Sequence, residues 1–148
     1  MQRRAWVSLS FLVLLCIGCS NGPGAKFAQN AKMGDIEAIE ASLNSGTSPD
    51  VTTRAGRTAL MEAASVGQVE VVRLLLEKNA NVNAQDKAGA TALMCAAATG
   101  QTDIVQLLLA RHANLNLRNN IGKTALAIAR EKRHNEMVEL LQMAGAKE

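Results

Sequence analysis

Aromatic residues are nearly absent from this chain of 148 residues. They make up 2% of the sequence, tyrosine is missing, and the three present are Trp6, Phe11 and Phe27. Proteins that bind single-stranded nucleic acid without sequence preference stack the bases on aromatic side chains, so this scarcity excludes such a platform. Hydrophobic residues still make up 48% of the chain, which suits one globular domain. Most of them are alanine, leucine and valine, which favour closely packed helices.

The chain also lacks a large excess of charge of one sign. Its formal net charge is +3. Removal of an N-terminal signal over residues 1–18 would take away Arg3 and Arg4, leaving 14 of the 16 basic residues against 13 acidic residues. A nearly neutral domain has no electrostatic basis for general nucleic-acid binding, so we expect no nucleic-acid partner.

Residues and motifs that carry catalysis are scarce. The sequence has two histidines, and it contains no nucleophile elbow, zinc-protease motif or calcium loop. Gly122-Lys123-Thr124 imitates the end of a phosphate-binding loop, but Leu117 stands where that loop needs a glycine. Glu62 and Glu131 do not form an acid/base pair, because they occupy different positions in different units. The sequence predicts a protein that is not an enzyme and uses no cofactor or metal.

Cysteine and methionine are both expected in structural roles. Cys16 and Cys19 lie in the N-terminal segment, so their C-x-x-C spacing is read as incidental and Cys95 remains as the one thiol of the processed protein. We expect Cys95 to be partly or wholly buried and inert. The methionines are expected to fill the core rather than to form an interaction surface: Met33, Met61, Met94, Met137 and Met143.

Residues 1–18 have the layout of a secretory signal peptide. Arg3 and Arg4 form a positive start, residues 5–17 are apolar apart from two serines, and Gly18 supplies a small residue at a cleavage point. The apolar stretch is shorter than the roughly 20 residues that a comfortable transmembrane helix needs. An uncleaved signal that acts as a short anchor is the alternative.

Ile17-Gly18-Cys19, after a leucine-rich run, resembles a bacterial lipobox. The resemblance implies cleavage before Cys19 and lipidation of that cysteine, and Ser20 in place of Asp implies the outer membrane. We therefore expect a lipoprotein on the periplasmic face of the outer membrane, with residues 19–24 as a short linker. The alternative is ordinary cleavage, for instance after Ser20, which would give a soluble periplasmic protein.

A period of 33 residues organises the rest of the chain. It relates glycines, threonines and leucines in successive units: Gly56, Gly89 and Gly122; Thr58, Thr91 and Thr124; Leu60, Leu93 and Leu126; Leu75, Leu108 and Leu141. The period divides residues 25–148 into four units, approximately 25–55, 56–88, 89–121 and 122–148.

The last three units open with Gly-x-Thr-x-Leu, and the first unit is a weaker match. The two middle units add an Ala-Ala pair, a glycine and a Leu-Leu-Leu run. Together these features resemble the ankyrin repeat, which implies an all-α solenoid of stacked helix-turn-helix units with hairpin-like loops. Thr58 is positioned to cap a first helix, and Gly67 to end it in a left-handed conformation. The sequence departs from the family at Arg133, where the register predicts a glycine, and at Ala59 and Met61, where the family has Pro and His.

Ankyrin stacks bind proteins through the hairpin tips and the exposed side of the first helices. The resemblance places the tips at Arg54, Arg57, Lys87, Arg118, Asn120 and Lys123. It places the helix positions at Ser65, Val66, Ala98, Thr99, Glu131 and Lys132. Since most of these charges are basic, we expect a protein partner with an acidic patch. We also expect the chain to be a monomer. The alternatives are a structural envelope spacer or scaffold without a specific partner, and an accessory subunit of an enzyme.

Overall fold

The computed structural model describes residues 22–147, so the predicted signal peptide and lipidation site at Cys19 lie outside the described residues. Within this range the chain forms helices and no strands, in agreement with the predicted all-α repeat stack. The helices form four successive pairs: α1 Pro23–Met33 and α2 Ile36–Asn44; α3 Ala59–Val66 and α4 Val69–Glu77; α5 Ala92–Thr99 and α6 Thr102–Ala110; α7 Ala125–Glu131 and α8 Asn135–Met143. No helix in residues 22–147 is long and apolar enough to cross a bilayer.

The first helix begins earlier than the sequence predicted. Its first residue is Pro23, inside the segment 19–24 that we expected to be linker. Proline is favoured there because its backbone is preset for the first helical turn and it lacks an N–H group that would have no partner. Glycine is required at the next residue, Gly24, because a Cβ at this position would lie 2.0 Å from the Thr52 carbonyl oxygen. The stack therefore includes part of the predicted linker.

Threonine caps start the first helix of units two to four, as predicted for Thr58. Its hydroxyl accepts a hydrogen bond from the Met61 N–H at 3.3 Å, and Thr91 and Thr124 cap α5 and α7 in the same way. All three threonines are buried. Because each hydroxyl satisfies an N–H group that the helix leaves unpaired, these buried polar residues stabilise the helix starts.

Left-handed residues end the first helices. Gly67 has φ 83° and Gly100 has φ 72°, as the register predicted. A Cβ on Gly67 would also lie 2.7 Å from the Gln101 Oε1 atom of the next unit. Arg133 occupies the same register and takes φ 59°, but no further described unit packs there. Its side chain therefore has room, and only the conformational cost of about 1–2 kcal/mol remains.

The core is a set of columns that run through the stack. Leu75, Leu108 and Leu141 are fully buried at one register position, and alanines fill the contacts between first helices: Ala31, Ala64 and Ala97. Alanine lets neighbouring helices approach closely, so each unit is stabilised mainly by the next one. Met61, Met94 and Met137 are buried as expected, whereas Met33 and Met143 are exposed, so the core prediction was wrong for those two.

The loops between units are held in register by one repeated hydrogen bond. The side chains of Asp50 and Asn83 accept from the backbone N–H groups of Asn81 and Asn114, both at 2.7 Å. The side chain of Asn116 accepts from Lys147 at 3.4 Å in the equivalent place. The bond ties each loop to the loop 31 residues later and so fixes the spacing of the hairpins.

Candidate protein-interaction face

Three hairpins project between the units, at residues 51–58, 84–91 and 117–124, and their turns are preformed. The side chain of Asp86 accepts from the backbone N–H groups of Ala88 and Ala90, each at 2.9 Å. Asn119 closes the third hairpin in the same way. Asp and Asn favour such turns because their side chains bond to the backbone two residues further on. A preformed turn loses little conformational entropy when it binds a partner.

Backbone hydrogen bonds join the hairpin tips into a row. The Lys87 N–H donates to the Ala55 carbonyl at 3.0 Å, and the Asn120 N–H donates to the Ala88 carbonyl at 2.9 Å. We call Arg54, Lys87 and Asn120 the tip row, since they share one register position. The Asn120 side chain also donates to the Lys87 carbonyl at 2.8 Å. Three of the six predicted tip residues are thus brought together in one connected row.

A second row lies where the first helices end. Met33, Val66, Thr99 and Lys132 share one register position, and we call them the helix-end row. The Gln68 side chain donates to the Lys32 carbonyl at 3.2 Å, and His134 contacts the Ala98 carbonyl in the equivalent way at 3.2 Å. These bonds hold successive helix ends beside one another. All four residues of the row are exposed.

Arg57 is placed differently from the free tip residue that the sequence predicted. Its guanidinium forms ion pairs with Glu62 and with Asp86, the latter at 3.3 Å, and lies 3.9 Å from the Cys95 sulfur. The Arg57 side chain is 27% exposed and that of Asp86 is 6% exposed. The residue therefore connects the second hairpin, α3 and α5, and its charge is already neutralised within the stack.

Cys95 is partly buried, as predicted. Burial raises the pKa of the Cys95 thiol above its usual range, and the nearby Arg57 acts in the opposite direction without cancelling that effect. Since the thiolate is the reactive form, the thiol is held in its unreactive state.

The remaining predicted site residues fall into two groups. Arg54, Lys87, Arg118, Asn120 and Lys132 are exposed and form no ion pair within residues 22–147, and Val66 and Thr99 are exposed beside them. The residues of the other group are partly buried: Lys123, which pairs with Glu131; Ser65, which donates to the Glu62 carbonyl; and Ala98. Lys123 also holds the pKa of the Glu131 carboxyl below its usual range.

Two exposed apolar residues belong to this face, and the sequence reasoning missed them. Met33 is 69% exposed and Ile121 is 73% exposed, compared with 41% for Val66. The register could have found Met33, because it stands 33 residues before Val66. Ile121 lies next to Asn120 at the tip of the third hairpin.

Charge is segregated between the two sides of the stack. The first helices with their caps and the hairpins carry nine basic residues: Lys26, Lys32, Arg54, Arg57, Lys87, Arg118, Lys123, Arg130 and Lys132. They carry three acidic residues, Glu62, Asp86 and Glu131, each of which is ion-paired. Counted in the same way, the second helices with their caps carry three basic residues, Arg73, Lys78 and Arg111, and eight acidic ones: Asp35, Glu37, Glu40, Glu70, Glu77, Asp103, Glu136 and Glu139. A domain of nearly neutral net charge thus presents a positive hairpin side.

The described residues offer no group of three or more His, Cys, Asp or Glu side chains that could hold a metal ion. His134 packs against Gly100 and contacts the Ala98 carbonyl, which is a structural role. Glu62 and Glu131 are each paired with a basic residue of their own unit, Arg57 and Lys123.

These stacked helix pairs and projecting hairpins define a helical repeat protein. The family profile for ankyrin repeats, in three copies, matches residues 27–119 and 79–147. The chain belongs to the ankyrin-repeat family, whose stacks are protein–protein interaction modules. A search of curated proteins gave no significant match.

Proposed function

We propose that this protein is an exported bacterial lipoprotein whose ankyrin stack binds a protein partner through the hairpin side. Its anchor is Cys19, and its place is the periplasmic face of the outer membrane. The three-part layout of residues 1–18 and the Ile17-Gly18-Cys19 sequence support export and lipidation. The partner presents an acidic patch, and the protein binds it as a monomer.

The observation that carries the binding proposal is the segregation of charge. Arg54, Lys87 and Lys132 are exposed and have no carboxylate partner within the described stack, whereas the acidic residues beside them are already paired. Unpaired cations on preformed tips attract an acidic surface and speed its encounter. A spacer without a partner has no need of this arrangement, so a specific binding role is favoured over a structural one.

Affinity capture from the envelope fraction tests the proposal, with two variants of equal charge change. Arg54→Ser with Lys87→Ser removes two cations from the tip row. Arg73→Ser with Lys78→Ser removes two exposed cations from α4 and its end. We expect the tip variant to lose the captured protein and the α4 variant to retain it, with capture by the wild type weakening as salt rises.

Two other results would contradict this assignment. Loss of capture with the α4 variant alone would place the binding face on the second helices. Unchanged capture with both variants, or no saturable partner at all, would favour an interaction through the N-terminal segment or a spacer role.

Lipidation is tested separately by intact-mass measurement of the mature protein. We expect an N-terminus at Cys19 that carries acyl chains, and Cys19→Ser should block this maturation. An unmodified N-terminus at Asn21 would show ordinary signal cleavage instead.

A further inference from the structure

The tip row and the helix-end row differ in chemistry over the first half of the stack. Arg54 and Lys87 make the tip row cationic there, while Met33 and Val66 make the helix-end row apolar. At the last unit the order is reversed, with Ile121 at the tip and Lys132 at the helix end. The chemistry of the face therefore changes from the first unit to the last, whereas a uniformly basic surface would present the same chemistry throughout.

The charged residues that lie in sequence between the two rows of the second unit are already paired. Arg57 pairs there with Glu62 and Asp86 and lies beside the Cys95 sulfur. No buried side-chain nitrogen or oxygen in the described chain lacks a hydrogen-bond partner. A ligand does not need to neutralise Arg57, Glu62 or Asp86. Its affinity therefore depends on the free cations and the apolar side chains of the two rows.

Resting on the proposed function, we propose that the first half of this face receives an amphipathic helix of the partner. One edge of that helix is acidic and lies along Arg54 and Lys87. The adjacent edge is apolar and lies along Met33 and Val66. The complementary charge of the tip row selects the acidic edge, and burial of the two exposed apolar side chains adds the hydrophobic contribution.

The spacing of the stack favours a helix over an extended peptide. Packed helices stand about 8–10 Å apart, and a helix rises about 10 Å in seven residues. A partner helix therefore presents equivalent side chains to successive units at a seven-residue interval. In an extended strand, the side chains on one face lie along a single line, so a strand that runs along the stack presents its side chains to one row and not to both.

A designed peptide tests this inference without knowledge of the natural partner. The probe is an alanine-based helix of about 20 residues with two glutamates at seven-residue spacing on one edge and two leucines on the adjacent edge. The control peptide has the same composition, with the leucines moved to the face opposite the glutamates. We expect the probe to bind the full chain at least roughly tenfold more tightly than the control, because only the probe reaches both rows.

Chain variants then assign the two edges. Arg54→Ser with Lys87→Ser should weaken probe binding and remove most of its salt dependence. Met33→Ser with Val66→Ser should weaken probe binding and leave the salt dependence. Met143→Ser, which changes an exposed methionine on α8, is the matched control and should leave probe binding unchanged.

Equal binding of the two peptides would overturn the inference, because charge alone would then explain recognition. Absence of probe binding, while capture of the natural partner still requires Arg54 and Lys87, would also overturn it and leave the proposed function standing. If capture is insensitive to Arg54 and Lys87 as well, the proposed function fails together with the inference.

Discussion

Removal of the Arg57 side chain should destabilise the stack, although the residue lies in a hairpin. Arg57→Ser leaves Asp86 and Glu62 without their cation, and the Asp86 side chain is almost completely buried. Loss of one partner costs about 3–5 kcal/mol in a fully buried ion pair and up to about 1 kcal/mol in an exposed one. Because Arg57 is partly exposed and Asp86 keeps its backbone hydrogen bonds, we expect a loss of about 2 kcal/mol.

Thermal and urea denaturation, followed by circular dichroism, measure this effect. A loss of that size should lower the Tm by roughly 8 °C in a domain of this length. Arg54→Ser is the matched control in the same hairpin and should change stability by less than about 0.5 kcal/mol. In a double-mutant cycle, Asp86→Asn removes the charge and keeps the oxygen that closes the turn. An unchanged Tm for Arg57→Ser, or no coupling with Asp86→Asn, would refute the role assigned to this network.

Three further substitutions test the packing of the stack by the same denaturation measurements. Leu108→Ala empties a fully buried position and should cost about 2–5 kcal/mol; a cost below 1 kcal/mol would contradict the column of leucines. Gly67→Ala should destabilise the stack more than Gly145→Ala. Both glycines have positive φ, but of the two only Gly67 has a neighbouring side chain, that of Gln101, within contact distance. Equal costs would show that the contact with Gln101 does not matter. Arg133→Gly should stabilise by about 1 kcal/mol, since it relieves a left-handed conformation, and a destabilised variant would mean that the arginine makes a compensating contact.

The sequence predicted those features of the fold that depend on local chemistry and on the period. The threonine caps, the glycine helix ends, the buried leucine columns and the partial burial of Cys95 all follow from residue type at a register position. The start of α1 at Pro23 was not predicted, because it depends on the contact between Gly24 and the backbone of Thr52. That contact joins Gly24, which precedes the first predicted unit, to Thr52 near the end of that unit, and the two residues have no sequence signal in common.

The candidate face was only partly predictable from the sequence, because some of its contacts also join residues that are far apart in the chain. Arg57 reaches Asp86 across 29 residues and Cys95 across 38, and its register equivalents are Ala90 and Lys123, so the period gave no sign of the network. Met33 was assigned to the core by its residue type, although its register partner Val66 was placed on the exposed side. The period therefore held the signal for the exposure of Met33, and the prediction was wrong because it followed residue type instead of register.

Hydrogen–deuterium exchange of the full chain, free and bound to its captured partner, tests the central claim most directly. The account predicts slower exchange on binding in the hairpins at residues 51–58 and 84–91 and at the ends of α1 and α3. It predicts little change in α2, α4, α6 and α8. Protection confined to these second helices, with the hairpins unchanged, would contradict the assignment of the binding face.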